Sequence, residues 1–282
     1  MLRTLAVIAA ASQRYLKLDL KYRFELTVNA LILSANIVSF AIMGGFVVAS
    51  NTELVSYPYY LFLLTGILYW TVVANGLVTS LSTLYEETER GAIGFFLSNG
   101  VSPAAIVVSR MIVSTVEALG LSFITAVPAL LILSGGTCPA LSTSPSWVAK
   151  VLVALAVPWL FMLAVAITLT AVQLVFKRIG GLAGAVHYVF GVVSGLYFPP
   201  QAIPMVGEWL AKLPTAIGLR AFRELLIFGE ARGFELSLER LATPLTDEWL
   251  LLFATAAFLI TSLVLLAKVE RLTMKWGTIE QY

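Results

Sequence analysis

Long uncharged runs alternate with short clusters of charge along these 282 residues. Residues 26–52, 54–85, 151–176 and 179–207 hold no Asp, Glu, Lys or Arg; residues 111–149 hold one, Glu117; and 249–267 form a last, shorter run. A helix that crosses the hydrocarbon of a bilayer needs about 20 predominantly apolar residues. The pattern therefore predicts an all-α, polytopic membrane protein with six transmembrane helices near 26–49, 58–82, 104–134, 147–176, 179–198 and 248–267. The third and fourth are long enough to tilt or to extend past the hydrocarbon.

Composition narrows the classes. The chain is 59% hydrophobic and 12% charged, about half the charged fraction of a soluble domain. A net charge of +2 gives no basic surface for nucleic acid. One cysteine, Cys138, and one histidine, His187, exclude a disulfide scaffold and a Cys/His zinc module, and no metal or cofactor site is expected on this chain. Cys138 reads as incidental, and His187, without co-ligands, as a packing residue rather than a proton or metal site.

Charge also sets orientation. With the N-terminus inside, the cytoplasmic segments hold Arg3, Arg14, Lys17, Lys21, Arg23, Arg90, Arg110, Lys177, Arg178, Lys268, Arg271 and Lys275, twelve of the eighteen cations. The positive-inside rule thus places both termini in the cytoplasm of a multi-pass cell (inner or plasma) membrane protein. Met1 to Ser12 mimics a signal peptide, but cleavage there would export the basic segment 14–23. Residues 1–25 are better read as a cytoplasmic interfacial segment: Leu16, Leu20 and Phe24 recur every four residues, with Arg14, Lys17 and Lys21 to one side. Such a helix lies along the inner membrane surface, its basic face toward anionic headgroups or a partner; a plain basic flank that fixes topology is the alternative.

Two segments between spans carry chemistry. In 83–102, the acids Glu86, Glu87 and Glu89 precede Arg90-Gly91 and an apolar patch, Ile93, Phe95, Phe96 and Leu97. Asn99-Gly100 then turns the chain, and Ser102-Pro103 caps the next helix. An amphipathic helix of this kind suits docking to a soluble partner; a connector resting on the bilayer fits the same composition. In 199–247, Pro199, Pro200 and Pro204 break the fifth span, and Pro214 opens a helix to about Phe228 that Gly229 closes. Its mixture of apolar and charged residues fits either re-entrant helices dipping into the outer leaflet or an ordinary interfacial loop.

Polar residues inside the spans are few. Glu117 shares a helix face with Ser114 and Arg110, and a central carboxylate costs about 2.5–3.5 kcal/mol on insertion scales. It reads either as a charge network at the inner mouth or as a hydrogen-bonded tie between helices. Asn29 and Asn36 on the first span, with Asn75 and Gln173, read as interhelical contacts or pathway residues. Tyr57, Tyr59 and Tyr60 suit an aromatic belt, whereas Tyr69, Trp70, Tyr188, Phe198 and Pro199 are candidates for a pathway or for packing.

Two blocks resemble a known family. Glu89, Arg90, Gly91, Val101, Ser102 and Arg110 are similar to the cytoplasmic loop of ABC-2 type transporter permeases, with Ala92 where that family often has Thr and Gly100 where it often has Pro. Gly195, Phe198, Pro199 and Pro204, then Leu213-Pro214, Arg220, Arg223 and Gly229, resemble its block after the fifth span. The resemblance implies the transmembrane subunit of an ABC exporter, paired with a second copy or a homologous permease. Residues 83–102 would be a coupling helix docked on an ATP-binding cassette subunit, with Glu86, Glu87, Glu89, Arg90, Gly91 and Phe95 at the contact. No Gly-x-x-x-x-Gly-Lys-Ser/Thr loop is present, so ATP and Mg would bind the partner and this chain would not itself be an enzyme. Pathway and gate candidates are Asn29, Asn36, Tyr69, Trp70, Glu117, Tyr188, Phe198 and Pro199. The implied cargo is a drug, a lipid or a lipid-linked glycan. The competing reading is an ion- or proton-coupled secondary transporter, which ordinarily uses several midplane carboxylates where this chain has Glu117 nearly alone. An intramembrane enzyme lacks its motifs here.

Overall fold

The computed structural model describes residues 2–48, 59–133, 144–228 and 247–276, and every regular element among them is a helix. In chain order these are α1 (Leu2–Lys21), α2 (Arg23–Val48), α3 (Tyr59–Glu89), α4 (Ala92–Ser98), α5 (Pro103–Leu133), α6 (Pro145–Phe176) and α7 (Gly180–Val193). A 3₁₀ turn at Pro200–Ala202 then leads to α8 (Gly207–Leu210), α9 (Pro214–Phe228) and α10 (Asp247–Trp276). Among the described residues four helices are long and apolar enough to cross a membrane, over Tyr59–Glu89, Pro103–Thr125, Pro145–Phe176 and Leu252–Lys275. The protein is therefore membrane-embedded, and its described residues form an all-helical structure. α2 and α7 occupy the other two runs in which crossings are expected. Tyr57, Cys138 and Gly229 lie outside the described residues.

Local chemistry sets the helix starts. Ser102 Oγ accepts from Ala105 N at 3.3 Å and Pro103 begins α5. Ser144 Oγ accepts from Trp147 N at 3.3 Å and Pro145 begins α6, both with a proline whose missing N–H would have been unsatisfied anyway. The ends depart from the uncharged runs in a consistent way. α3 continues to Glu89 and α10 to Trp276. Charge marks where hydrocarbon would end, whereas the i→i−4 ladder continues into water as long as each residue tolerates it. α7 does the reverse and stops at Val193, short of the expected 198, because Gly195 turns at φ 91° and Pro199-Pro200 follow. At 14 residues α7 is about 21 Å long.

α3 is the hub, packed by α2, α5, α6, α7 and α9, and its side chains from Phe62 to Leu84 are mostly buried. α10 leans chiefly on α6, where the Thr168 and Ser262 hydroxyls bond at 2.9 Å. α1 lies on α5: Ser109 Oγ donates to the Ile8 carbonyl at 3.2 Å and Ser12 Oγ to the Ser109 carbonyl at 3.4 Å.

Candidate functional site

Two polar groupings sit where α1 meets the C-terminal end of α3 and the N-terminal half of α5. The first is built on the last turns of α3. Helix α3 carries all three acids of the 83–102 segment, so that segment is not one helix: Gly91, at φ 70°, breaks it and α4 starts afresh at Ala92. A non-glycine residue in that left-handed conformation would be strained by about 1–2 kcal/mol. α4 is closed by Asn99-Gly100, as the sequence predicts, with Gly100 at φ 74° and Val101 N donating to the Phe96 carbonyl at 2.9 Å.

The side chains of this segment divide between inside and outside. Glu86 and Arg90 pair along the helix at 3.2 Å, both exposed, and the Tyr85 hydroxyl donates to Glu89. Phe95 is 69% exposed, its ring set edge-on to Phe96, while Ile93 is buried and anchors α4 to the core. Glu87 does the opposite of what a partner-facing acid would do. It is 4% exposed and accepts from Arg14 of α1 at 3.0 Å. Tyr15 packs beside it, with the Arg14 and Arg110 guanidiniums 5.5 Å and 5.8 Å from its ring centre. Burial, and next the Glu87 carboxylate, push the Tyr15 phenol up to about 12, so it stays neutral.

The second grouping is a notch lined by Asp19, Glu25, Leu26, Asn29, Arg110 and Glu117, contributed by α1, α2 and α5. Arg110 donates to Asp19, and both are largely buried. Glu117 faces the same notch, one turn beyond the buried Ser114, and its Oε1 and the Arg110 Nε have no hydrogen-bond partner within the described chain. The notch holds about 10 Å³, the space of about one water, with a polar lining suited to one. The shared Arg110–Glu117 face was legible in the sequence; the closing partner, Asp19, was not singled out. Its signal was an acid alone in the basic segment 14–23.

At the opposite end of α3 the remaining candidates are distributed. The Tyr59 hydroxyl donates to the Tyr197 carbonyl at 2.6 Å, and the Tyr69 hydroxyl, ten residues further along α3, donates to the Thr215 carbonyl at 2.9 Å. Arg223 then returns to the first turn: its Nε donates to the Phe62 carbonyl and its Nη2 to the Leu196 carbonyl, each at 3.2 Å, with the guanidinium 3.5 Å over the Phe62 ring. The buried Ser194 and Thr215 hydroxyls bond each other. Tyr69 and Trp70 are buried in the core, and Trp70 Nε1 donates to His187 Nε2 at 3.1 Å, so His187 is a packed acceptor. Tyr188 and Phe198 remain exposed, Pro199 is half-buried, Asn36 is exposed on α2, and Asn29, also exposed, lines the notch. Thr215 and Arg223 belong to the sequence block after the fifth span, but their buried bridging contacts were not foreseen; an arginine among apolar neighbours was the available sign.

Among the described residues no three His, Cys, Asp or Glu side chains gather as a metal site. Among proteins compared with this chain, no family model matches it and no curated sequence is similar to it.

Proposed function

We propose that this chain is the transmembrane permease subunit of an ATP-driven exporter of the ABC-2 type, moving a hydrophobic or amphiphilic cargo outward on the energy of a separate ATP-binding subunit. One observation carries the reading: a short helix with an exposed aromatic face, α4, stands at the end of α3, the most buried of the four long apolar helices, and is braced there by α1. Ile93 roots α4 in the core, and the Arg14–Glu87 pair ties the last turn of α3 to α1. A push on α4 is therefore transmitted to α3, and through α3 to every helix packed on it. Glu86, Glu89, Arg90 and Phe95 are available to a partner surface, where exposed charges steer and orient docking; Glu87 serves the brace. The two sequence blocks at 89–110 and 195–229 support the same family.

The finer architecture follows. Six crossings are α2, α3, α5, α6, α7 with its extension to Phe198, and α10, with both termini cytoplasmic. Residues 199–228 re-enter the outer leaflet. The chain meets α3 at Tyr59 through Tyr197 and then at Tyr69 through Thr215, about 15 Å deeper, and α9 climbs back until Arg223 reaches Phe62. Two permease copies, or this chain and a homologue, face each other through the exposed sides of α2 and α7, with α3 held behind them in the bundle. ATP-driven closure of the partner subunits moves α4 and opens the path between them. The carrier alternative rests on Glu117, whose Oε1 lies buried beside Asp19 without a partner.

The test is E89A or R90A. Both residues are exposed, and exposed pairs contribute about 0–1 kcal/mol, so folding and membrane insertion should be intact. Cargo-stimulated ATP hydrolysis of the assembled complex should fall. Unchanged coupling in both variants would sink the assignment of this surface.

A further inference from the structure

We propose that the outward side of α1 and the bend into α2 form a binding surface for the headgroups of anionic phospholipids. Around the axis of α1, at about 100° per residue, the side chains sort into three faces. Ile8, Ser12, Tyr15 and Asp19 form the first, and it is the face seated on α5 and Arg110. Leu5, Leu16 and Leu20 form the second, with Leu5 and Leu20 exposed. Arg14, Lys17 and Lys21 form the third, and all three are exposed. The cationic face, which also carries the exposed Leu18, lies roughly opposite the apolar one, so its long side chains reach the headgroup phosphates by extending back toward the leaflet in which the leucines sit.

The bend repeats this chemistry at close range. A single non-helical residue, Tyr22, separates α1 from α2, and Lys21, Tyr22, Arg23 and Phe24 are all exposed, Phe24 to 82%. Alternating cations and aromatics at the first turn of an apolar helix fit the headgroup layer, where aromatic rings rest and cations meet phosphate. The acids nearby are accounted for. Glu87 is held by Arg14, Asp19 turns inward to Arg110, and Glu25 is the exposed acid beside the bend. Lys17, Lys21 and Arg23 stand outside those pairs and outnumber Glu25. A soluble acidic partner would neutralise the cations but would leave Leu5, Leu20, Tyr22 and Phe24 to be covered as well. A leaflet of anionic lipid meets both requirements at once. Each such cation near an anionic leaflet raises affinity about fivefold. The free cations of this surface, Lys17, Lys21 and Arg23, take no part in the proposed ATPase coupling, whereas Arg14 is committed to the brace on Glu87.

The test uses the full-length chain reconstituted in phosphatidylcholine bilayers and probed with spin-labelled phosphatidylglycerol and spin-labelled phosphatidylcholine. At low salt the protein should immobilise phosphatidylglycerol in several-fold preference. The preference should shrink toward none at high salt, where the screening length falls to about 3 Å at 1 M. Replacing Lys17, Lys21 and Arg23 together by Gln should abolish it, and K17R/K21R/R23K should keep it. Because these cations also orient insertion, the salt series on the unmodified chain stands as a second test that needs no substitution. Equal retention of the two lipids by the unmodified chain at low salt overturns the proposal. So does a preference that survives both high salt and the triple Gln variant. Indifference to phosphatidylglycerol, combined with loss of a bound acidic protein from the triple variant, would make α1 a protein-docking face and overturn it equally.

Discussion

Glu87 is a carboxylate taken out of solvent at the last turn of a central helix, and Arg14, half exposed, is what compensates it. Removing Arg14 leaves a buried charge with no cation beside it, a more costly outcome than removing both partners. R14A should therefore destabilise the detergent-solubilised protein by about 2–3 kcal/mol, while R14A/E87A recovers much of that loss, a coupling of about 1–3 kcal/mol in a double-mutant cycle followed by thermal unfolding. Strict additivity would mean that the contact contributes nothing. The notch on α5 separates two roles in the same way. D19N strips Arg110 of a charged partner and should cost about 2–4 kcal/mol. E117Q keeps the shape and hydrogen-bonding capacity of Glu117 and leaves the Asp19–Arg110 pair in place, so ATP-driven export should persist in the variant. Loss of transport in E117Q, with stability unchanged, would instead support gradient coupling through that carboxylate.

Element by element, the sequence was most legible where apolar length and capping chemistry coincide. Ser102-Pro103 and Pro214 each begin a helix, and Asn99-Gly100 ends one, whereas the Ser144-Pro145 start of α6 lies two residues before the expected 147. It was least legible where hydrocarbon limits and helix limits diverge, as at the C-terminal ends of α3 and α10, and where a glycine at positive φ splits an apparently continuous segment, as at Gly91. Burial of individual side chains was also hidden. Glu87 and Phe95 belong to one cytoplasmic-looking motif, yet one faces the core and the other solvent, because residues 87 and 95 sit on two different helices. For α9 the deciding contact is a glycine. A Cβ on Gly218 would stand 2.3 Å from Pro158 Cγ, 2.6 Å from the Tyr69 hydroxyl and 2.8 Å from the Ala154 carbonyl. G218A should therefore displace α9 from α6 and lower stability by about 1–3 kcal/mol, measurable as a drop in Tm. A neutral substitution would mean that α9 is not held as closely as described.

Across the whole molecule, α3 joins two differently built ends. One end carries the brace of α1, α3 and α5 with α4 projecting from it; the other is closed by α9 through Arg223, Tyr69 and Thr215. Buried donors on main-chain carbonyls hold the second end, and charge pairs hold the first, so a load applied at α4 meets a lever with fixed ends rather than a loose bundle. Under the proposed pairing of permeases, the exposed Asn36 of α2 is a polar residue for the facing copy to cover, whereas Asn29 lines the notch. The central claim is that this lever is worked by a separate ATPase. It is tested most directly by purifying the tagged full-length chain in mild detergent, identifying what is retained with it by mass spectrometry, and assaying ATP hydrolysis. A polypeptide carrying a Gly-x-x-x-x-Gly-Lys-Ser/Thr loop should be retained in near-equal ratio, with ATPase activity that E89A or R90A uncouples from cargo. Reproducible absence of such a subunit, with transport that follows a proton gradient, would contradict it.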